Sequence, residues 1–143
     1  MPSIRTEIFL RHSADQVWAV LADFDRYHEW NPLNIKARGQ AAPGARVRMT
    51  FLNLASPGKT INQTVTITTC EPGRALAWSG SIPLLFNGRH HFEIVPEADG
   101  VRLLHGEDLG GWIANRFSPQ QIQRDFVPHY EAVNQALSRR VSA

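Results

Sequence analysis

Residues 88–96 read Gly-Arg-His-His-Phe-Glu-Ile-Val-Pro, and residues 101–109 read Val-Arg-Leu-Leu-His-Gly-Glu-Asp-Leu. Both runs alternate between apolar and polar residues, and the Glu-Ala-Asp-Gly between them forms turns readily, so they predict a β-hairpin. Side chains two positions apart lie on the same face of a strand, so His90, His105 and Glu107 share the face of Phe92 and Leu103. Burying titratable groups without partners is costly. This face therefore predicts a pocket rather than a plain hydrophobic core.

The register of the hairpin brings two of these groups together. If Pro96 pairs with Val101 across a four-residue loop, His90 lies directly opposite Glu107. Opposed residues have Cβ atoms about 5 Å apart, so the two side chains can share a hydrogen bond. One interpretation is a polar anchor or an acid/base pair inside an apolar pocket. The other is a satisfied core pair that braces the sheet, and the sequence leaves both open.

The composition is that of an ordinary globular protein. The chain has 143 residues, 43% hydrophobic and 20% charged, which predicts one domain spanning residues 1–143. Its formal net charge is +2, and the basic residues are spread from Arg5 to Arg140 without a long run. A nucleic-acid surface would cluster them, so we expect no nucleic-acid partner.

A single cysteine, Cys70, excludes an internal disulfide and a multi-cysteine zinc site, and it suits a reducing compartment. The first 23 residues are interrupted by charged side chains, so they lack the apolar run of a signal peptide. No segment is apolar enough to span a bilayer. We therefore expect a cytoplasmic protein without integral membrane association, either a monomer or a homodimer.

Motifs for metals and cofactors are weak. His105-Gly106-Glu107 resembles the start of a zinc-deaminase signature, but the paired cysteines are missing. His90 and His91 point to opposite faces of one strand, so they cannot share a metal ion. We predict neither a metal site nor a cofactor.

The order of elements predicts the architecture. A first strand is followed by a short helix near residues 14–22 and further helical turns up to Glu29, which Trp30-Asn31-Pro32 ends. Residues 33–111 show strand patterns separated by short turns. A long helix then begins at Ser118-Pro119, and Pro128 should kink or break it locally. Its apolar stripe consists of Ile122, Phe126, Tyr130, Val133 and Leu137. Strands joined without intervening helices indicate an antiparallel sheet, which this helix can cover.

The order and spacing of several short motifs resemble the START-like superfamily, also called SRPBCC proteins, in particular its polyketide cyclase/dehydrase-like branch. The matching pieces are Val17-Trp18, Asp23-Phe24 with Tyr27, Trp30-Asn31-Pro32, Pro72 before Leu76 and Trp78, Gly88 with His90, Phe92 and Pro96, Glu107 with Leu109 and Gly111, and the helical tail Tyr130–Leu137. The resemblance implies an α+β helix-grip fold: a curved seven-stranded antiparallel sheet wrapped around the long C-terminal helix, with two short helices after the first strand.

The resemblance also implies a cavity between sheet and helix, in which members bind lipids, sterols, polyketides or plant hormones. Together with the inward phase of the strands it gives the candidate ligand-binding residues: Trp30, Phe51, Gln63, Trp78, His90, Phe92, His105, Glu107, Trp112, Phe126 and Tyr130. Any single aromatic among them is also compatible with ordinary core. Trp30 would close the pocket or cap its end. Trp112, after a flexible Gly-Gly pair, would be a gate or a wedge under the final helix.

Three functions follow from these patterns. The first is binding of a small apolar or amphipathic molecule, lipid- or polyketide-like, in the cavity. The alternative is a cyclase or dehydratase that uses Glu107 with His90 or His105 as base and acid, so whether the chain is an enzyme stays open. The third is a protein-interaction module, like toxin or co-chaperone relatives, in which the outer face of the sheet would bind the partner.

Overall fold

The computed structural model describes residues 2–82, 86–112 and 114–143. Within them lies a seven-stranded antiparallel sheet in the order β1-β7-β6-β5-β4-β3-β2. The strands are β1 (Ser3–Leu10), β2 (Lys36–Arg38), β3 (Arg46–Leu52), β4 (Thr60–Glu71), β5 (Ala75–Ile82), β6 (Phe86–Glu97) and β7 (Gly100–Gly110). The predicted helix-grip architecture is confirmed.

The helices also begin and end close to the predicted positions. The first helix covers Ala14–Leu21, and Ser13 caps it through the reciprocal hydrogen bonds with Gln16 that form a capping box. A 3₁₀ helix follows at Phe24–Glu29, and a shorter one covers Ala114–Arg116. Within the described residues, no helix combines the length and the apolar character needed to cross a bilayer.

The C-terminal helix runs from residue 119 to 142 and changes its winding near Pro128. It begins as α-helix at Pro119–Gln121, passes through a π-helical turn at Ile122–Phe126, and continues as α-helix over Val127–Ser142. Proline lacks the N–H that would bond the carbonyl four residues earlier, and a π turn is one way for a helix to accommodate this. The predicted local break is therefore a π turn directly before Pro128.

The hairpin of β6 and β7 has the predicted register. Pro96 pairs with Val101, Phe92 with His105, and His90 with Glu107. The loop is shorter than expected, because Glu97 also pairs with Gly100 and leaves a two-residue turn. Shortening the loop symmetrically keeps every pair above it in place.

The apolar stripe of the C-terminal helix packs on the sheet. Its members Ile122, Phe126, Tyr130, Val133 and Leu137 are all buried. Leu137 belongs to a cluster with Val17 and Phe24 from the helices after β1. Ile122, Phe126 and Tyr130 form a second cluster with Leu33 and Leu109, among others. The first half of the C-terminal helix, with its π turn, therefore lies over the end of the sheet where a cavity opens.

Candidate functional site

A cavity of about 320 Å³ lies between the sheet and the first half of the C-terminal helix. Its wall is mainly apolar. The sheet contributes Phe51, Ile61, Val65 and Trp78, and the helix contributes Phe126 and Tyr130. The volume falls at the lower end of the range of small-molecule sites, which is roughly 300–1,000 Å³.

Most of the candidate residues from the sequence lie in this wall. They are Phe51, Gln63, Trp78, His90, Glu107, Phe126 and Tyr130. Asn53 follows the end of β3, and its Oδ1 accepts a hydrogen bond from the Ala55 amide at 3.1 Å. It nevertheless borders the cavity. Whether any of these residues binds a ligand stays a prediction.

Four candidates lie outside the described wall. Phe92 and His105 are buried behind it, with their rings stacked at a centroid distance of 4.2 Å. Trp30 packs edge-on against Tyr27 at a centroid distance of 5.2 Å. Trp112 is 65% exposed, so its interpretation as a wedge under the final helix is wrong. The chain turns at Gly111, which has a φ of 92°, and the Arg116 guanidinium covers the Trp112 ring at 4.9 Å.

Five side chains form a continuous polar cluster at one end of the cavity. Glu107 Oε1 lies 3.1 Å from His90 Nδ1 and accepts a hydrogen bond from the Tyr130 hydroxyl at 2.5 Å. His90 Nε2 lies 2.7 Å from His105 Nε2. His105 Nδ1 lies 2.8 Å from Asn134 Oδ1. The cluster connects three elements, because His90 is on β6, His105 and Glu107 are on β7, and Tyr130 and Asn134 are one turn apart on the C-terminal helix.

The donors and acceptors of this cluster are fixed from its far end. The Thr6 hydroxyl donates to the His105 carbonyl at 2.7 Å, so Thr6 Oγ1 accepts from Asn134 Nδ2 at 2.9 Å. The amide nitrogen of Asn134 therefore faces Thr6 and its oxygen faces His105, whose Nδ1 must donate. Burial, with the nearby charge of His90 as the next cause, holds the pKa of His105 well below its ordinary value. His105 is thus a neutral ring with a bare Nε2.

The tautomer of His105 also determines the hydrogen bond between the two imidazole rings. Since His105 Nε2 carries no proton, His90 Nε2 must donate to it. His90 Nδ1 then faces Glu107 Oε1 at 3.1 Å, so a hydrogen bond between them needs a proton on one of these two atoms. The Tyr130 hydroxyl keeps its own proton, because burial and the Glu107 carboxylate raise its pKa well above the ordinary value.

Aromatic rings enclose the imidazole of His90. The ring of Trp78 stacks on it at a centroid distance of 4.8 Å, and the ring of Tyr130 lies 5.4 Å away at an interplanar angle of 22°. The Glu107 side chain is 13% exposed, against 5% for His90. Glu107 is therefore the member of the pair that faces the cavity more openly.

Gln63 is a second polar group in the wall. Its amide lies against Gly80, where a Cβ would come within 2.7 Å of Gln63 Oε1. Gln63 Nε2 is enclosed and has no hydrogen-bond partner in the described part of the chain. An unpaired buried donor is destabilising, so an acceptor on a bound ligand would satisfy this amide.

Sequence reasoning missed Asn134 and Thr6. Asn134 lies four residues after Tyr130, so it is a polar residue on the buried side of the helix. Thr6 has the inward phase of Ile4 and Ile8 on β1. Both were readable as polar residues in apolar positions. Their contact with His105 depends on how the helix docks, which local pattern does not encode.

A family model described as "Polyketide cyclase / dehydrase and lipid transport" matches residues 1–141. The chain belongs to this family. The match covers nearly the whole sequence, including the strands and the helix that form the cavity and the polar cluster. A comparison of this family member with curated proteins finds no match.

Solved structures share the fold of this polyketide cyclase/dehydrase family member at low sequence identity. A START superfamily protein from Mycobacterium smegmatis superposes with a TM-score of 0.79 at 15% identity, covering 98% of this chain and 97% of that one. The Zhui aromatase/cyclase from Streptomyces sp. R1128 gives a TM-score of 0.76 at 17% identity, with coverage of 99% and 93%. The protein TTHA0849 from Thermus thermophilus gives 0.78 at 14% identity, with coverage of 99% and 97%. These likenesses establish the START-like fold and leave the ligand to be argued from the site.

Proposed function

We propose that the chain binds one small apolar or amphipathic molecule, lipid- or polyketide-like, in the cavity between the sheet and the C-terminal helix. The observation that carries the proposal is an apolar cavity of about 320 Å³ that ends on a buried polar pair, His90 and Glu107. An apolar wall supplies affinity, and a few fixed polar groups orient the ligand.

The family supports the same function. Its description couples cyclase and dehydrase activity with lipid transport, and both require an apolar molecule to be enclosed. We infer that residues 1–143 act as a single ligand-binding domain and that Glu107 is the polar anchor of the cavity.

Binding is tested with the uncharged fluorescent probe N-phenyl-1-naphthylamine and by native mass spectrometry of freshly purified protein. We expect saturable binding with a stoichiometry near one. The variant Ile61→Trp fills the cavity from β4 and should abolish binding, because Ile61 lines the wall. Thr68→Trp places the same side chain at an exposed position of the same strand and should leave binding intact. Absence of saturable binding by the folded parent protein would contradict the proposal.

Catalysis on the same site is the second candidate, and the contact of His90 Nδ1 with Glu107 Oε1 at 3.1 Å favours it. A carboxylate hydrogen-bonded to an imidazole and a phenol can accept a proton from a bound molecule and return it elsewhere on that molecule, as a cyclisation or dehydration requires. Of the fold neighbours, Zhui is described as an aromatase/cyclase. In this proposal Glu107 is the base, His90 is the acid that shares its proton, and His105 fixes the orientation of His90.

A further inference from the structure

The charges around the cavity are unusual for a site that would hold a lipid anion. Among the described residues of its wall, the ionisable side chains are His90, Glu107 and Tyr130, with neither lysine nor arginine. Both ring nitrogens of His90 face other side chains, Glu107 and His105, and Tyr130 keeps its proton. The described wall therefore contains no cation that could neutralise an anionic ligand.

His90 cannot serve as that cation. Its Nδ1 faces Glu107 at 3.1 Å and its Nε2 faces His105 at 2.7 Å, so both ring nitrogens are engaged. The rings of Trp78 and Tyr130 cover its faces. A ligand anion would lose its hydration and gain no donor from this ring.

Glu107 favours a hydrogen-bond donor instead. His90 and Tyr130 both contact Oε1, whereas Oε2 makes no hydrogen bond with the described residues. A carboxylate oxygen accepts hydrogen bonds and cannot donate them. A hydroxyl group on the ligand would satisfy it, whereas a ligand carboxylate would place two like charges side by side.

We propose that the cavity selects uncharged ligands that donate a hydroxyl group to Glu107, and that it rejects carboxylates of the same shape. The ligand class is thus a phenol or alcohol on an apolar framework rather than a fatty acid or an aromatic acid. This inference rests on the proposed function, since it specifies the ligand of the same cavity.

Three probes of one size test the selection: 2-naphthol, 2-naphthoate and 2-methylnaphthalene. Their affinities for the parent protein are measured at neutral pH by displacement of N-phenyl-1-naphthylamine, under conditions where the naphthoate is ionised and the naphthol is not. Burying an unpaired charge is strongly unfavourable, so we expect naphthoate to bind at least about tenfold more weakly than naphthol. Because 2-methylnaphthalene has no O–H to donate to the Glu107 carboxylate, we expect it also to bind about tenfold more weakly than naphthol.

Two variants locate the effect. Glu107→Gln removes the charge and keeps the shape, so the preference for naphthol over naphthoate should shrink by about tenfold. Glu93→Gln makes the same change on the outer face of β6, where the side chain is exposed, and should leave the preference unchanged. The comparison of the three probes on the parent protein stands even where Glu107→Gln fails to fold.

Different outcomes would contradict the charge selection, the role of the hydroxyl group, and ligand binding itself. Equal affinities for naphthol and naphthoate, with saturable dye binding, would overturn the charge selection and leave ligand binding in place. Equal affinities for naphthol and methylnaphthalene would overturn the role of the hydroxyl group. Failure of the dye and of all three probes to bind would overturn both proposals.

Discussion

His90 Nε2 lies 2.7 Å from His105 Nε2, so only one of these two nitrogens carries a proton. Which nitrogen carries the proton depends on Thr6 and Asn134. The Thr6 hydroxyl donates to the backbone carbonyl of His105, so its oxygen accepts from Asn134 Nδ2 and the Asn134 oxygen faces the His105 ring. A backbone carbonyl cannot change its role, which makes it a firm starting point for the whole chain of hydrogen bonds. The tautomer of His105, and with it the donor in the contact between the two rings, is thereby set from outside the cavity.

Asn134 should hold the tautomer of His105. In the parent protein we expect the nitrogen resonances of His105 to show a protonated Nδ1 and a bare Nε2. Asn134→Leu removes the acceptor, so Nδ1 loses its partner and the ring should shift toward the Nε2–H tautomer. The folded variant should also lose about 1–3 kcal/mol of stability.

The measurement is nitrogen NMR of the imidazole rings together with denaturant unfolding. Gln135→Leu, an exposed neighbour on the same helix, is the control and should change neither readout. An unchanged tautomer in Asn134→Leu would show that His90 alone determines it.

The buried histidine also predicts an acid-sensitive stability. The pKa of His105 lies well below its ordinary value in the folded state, chiefly because of burial, whereas the unfolded chain has the ordinary value of about 6.5. Below that pH the unfolded state binds more protons, so stability falls as pH falls, by up to about 1.4 kcal/mol per pH unit. Above about pH 6.5 the contribution of His105 is constant.

The pKa of His91 is lowered as well, mainly by burial, so it acts in the same direction. The slope of the unfolding free energy against pH, measured between neutral and mildly acidic pH, should therefore be smaller in His105→Gln and in His91→Gln than in the parent. The decrease should be larger in His105→Gln. A parent protein whose stability does not change over this interval would contradict the assignment of a neutral His105.

The sequence predicts the strand pairing of this site better than its hydrogen bonds. Alternation placed His90 and Glu107 on one face, and the position of the turn placed them opposite each other, because a loop shortened symmetrically keeps the same register. The contact of His90 with His105 crosses the hairpin diagonally, and it depends on side-chain rotamers. The Tyr130–Glu107 and Asn134–His105 contacts depend on how the helix docks over the sheet. No local pattern specifies that docking, so Tyr130 was predicted as a wall residue and Asn134 was missed.

Glu107→Gln should distinguish a carrier from an enzyme. In a carrier the change keeps shape and one acceptor, so the affinity for the apolar dye should fall by about tenfold or less. In an enzyme it removes the proton acceptor, and turnover should fall by about 100-fold or more while binding persists. Dye affinity and any turnover are measured beside the parent. If both stay unchanged and only the melting temperature falls, Glu107 is a structural brace of the sheet.

Leu137→Ala should test the docking of the C-terminal helix. Leu137 is 0% exposed and packs with the helices that follow β1. Removing a fully buried leucine side chain leaves a cavity and should reduce the unfolding free energy by about 2–5 kcal/mol. Gln135→Ala, on the exposed side of the same helix, is the matched control. A loss below about 1 kcal/mol for Leu137→Ala would mean that this end of the helix docks differently.

Gln63→Met should stabilise the folded protein and weaken the binding of ligands that carry an oxygen acceptor. Gln63 Nε2 is enclosed without a partner in the described chain, and the amide lies against Gly80 in the cavity wall. Methionine has a similar volume and no polar hydrogen, so the folded protein should gain about 1 kcal/mol, part of the cost of an unsatisfied donor.

A ligand oxygen that pairs with the Gln63 amide would lose its partner in the Gln63→Met variant. We therefore expect 2-acetylnaphthalene to bind Gln63→Met several-fold more weakly, relative to 2-ethylnaphthalene, than it binds the parent. Unfolding free energy and the ratio of the two affinities are the measurements, with Thr68→Met at an exposed position of β4 as control. A variant that is less stable than the parent, with an unchanged affinity ratio, would show that the Gln63 amide supports the sheet rather than the ligand.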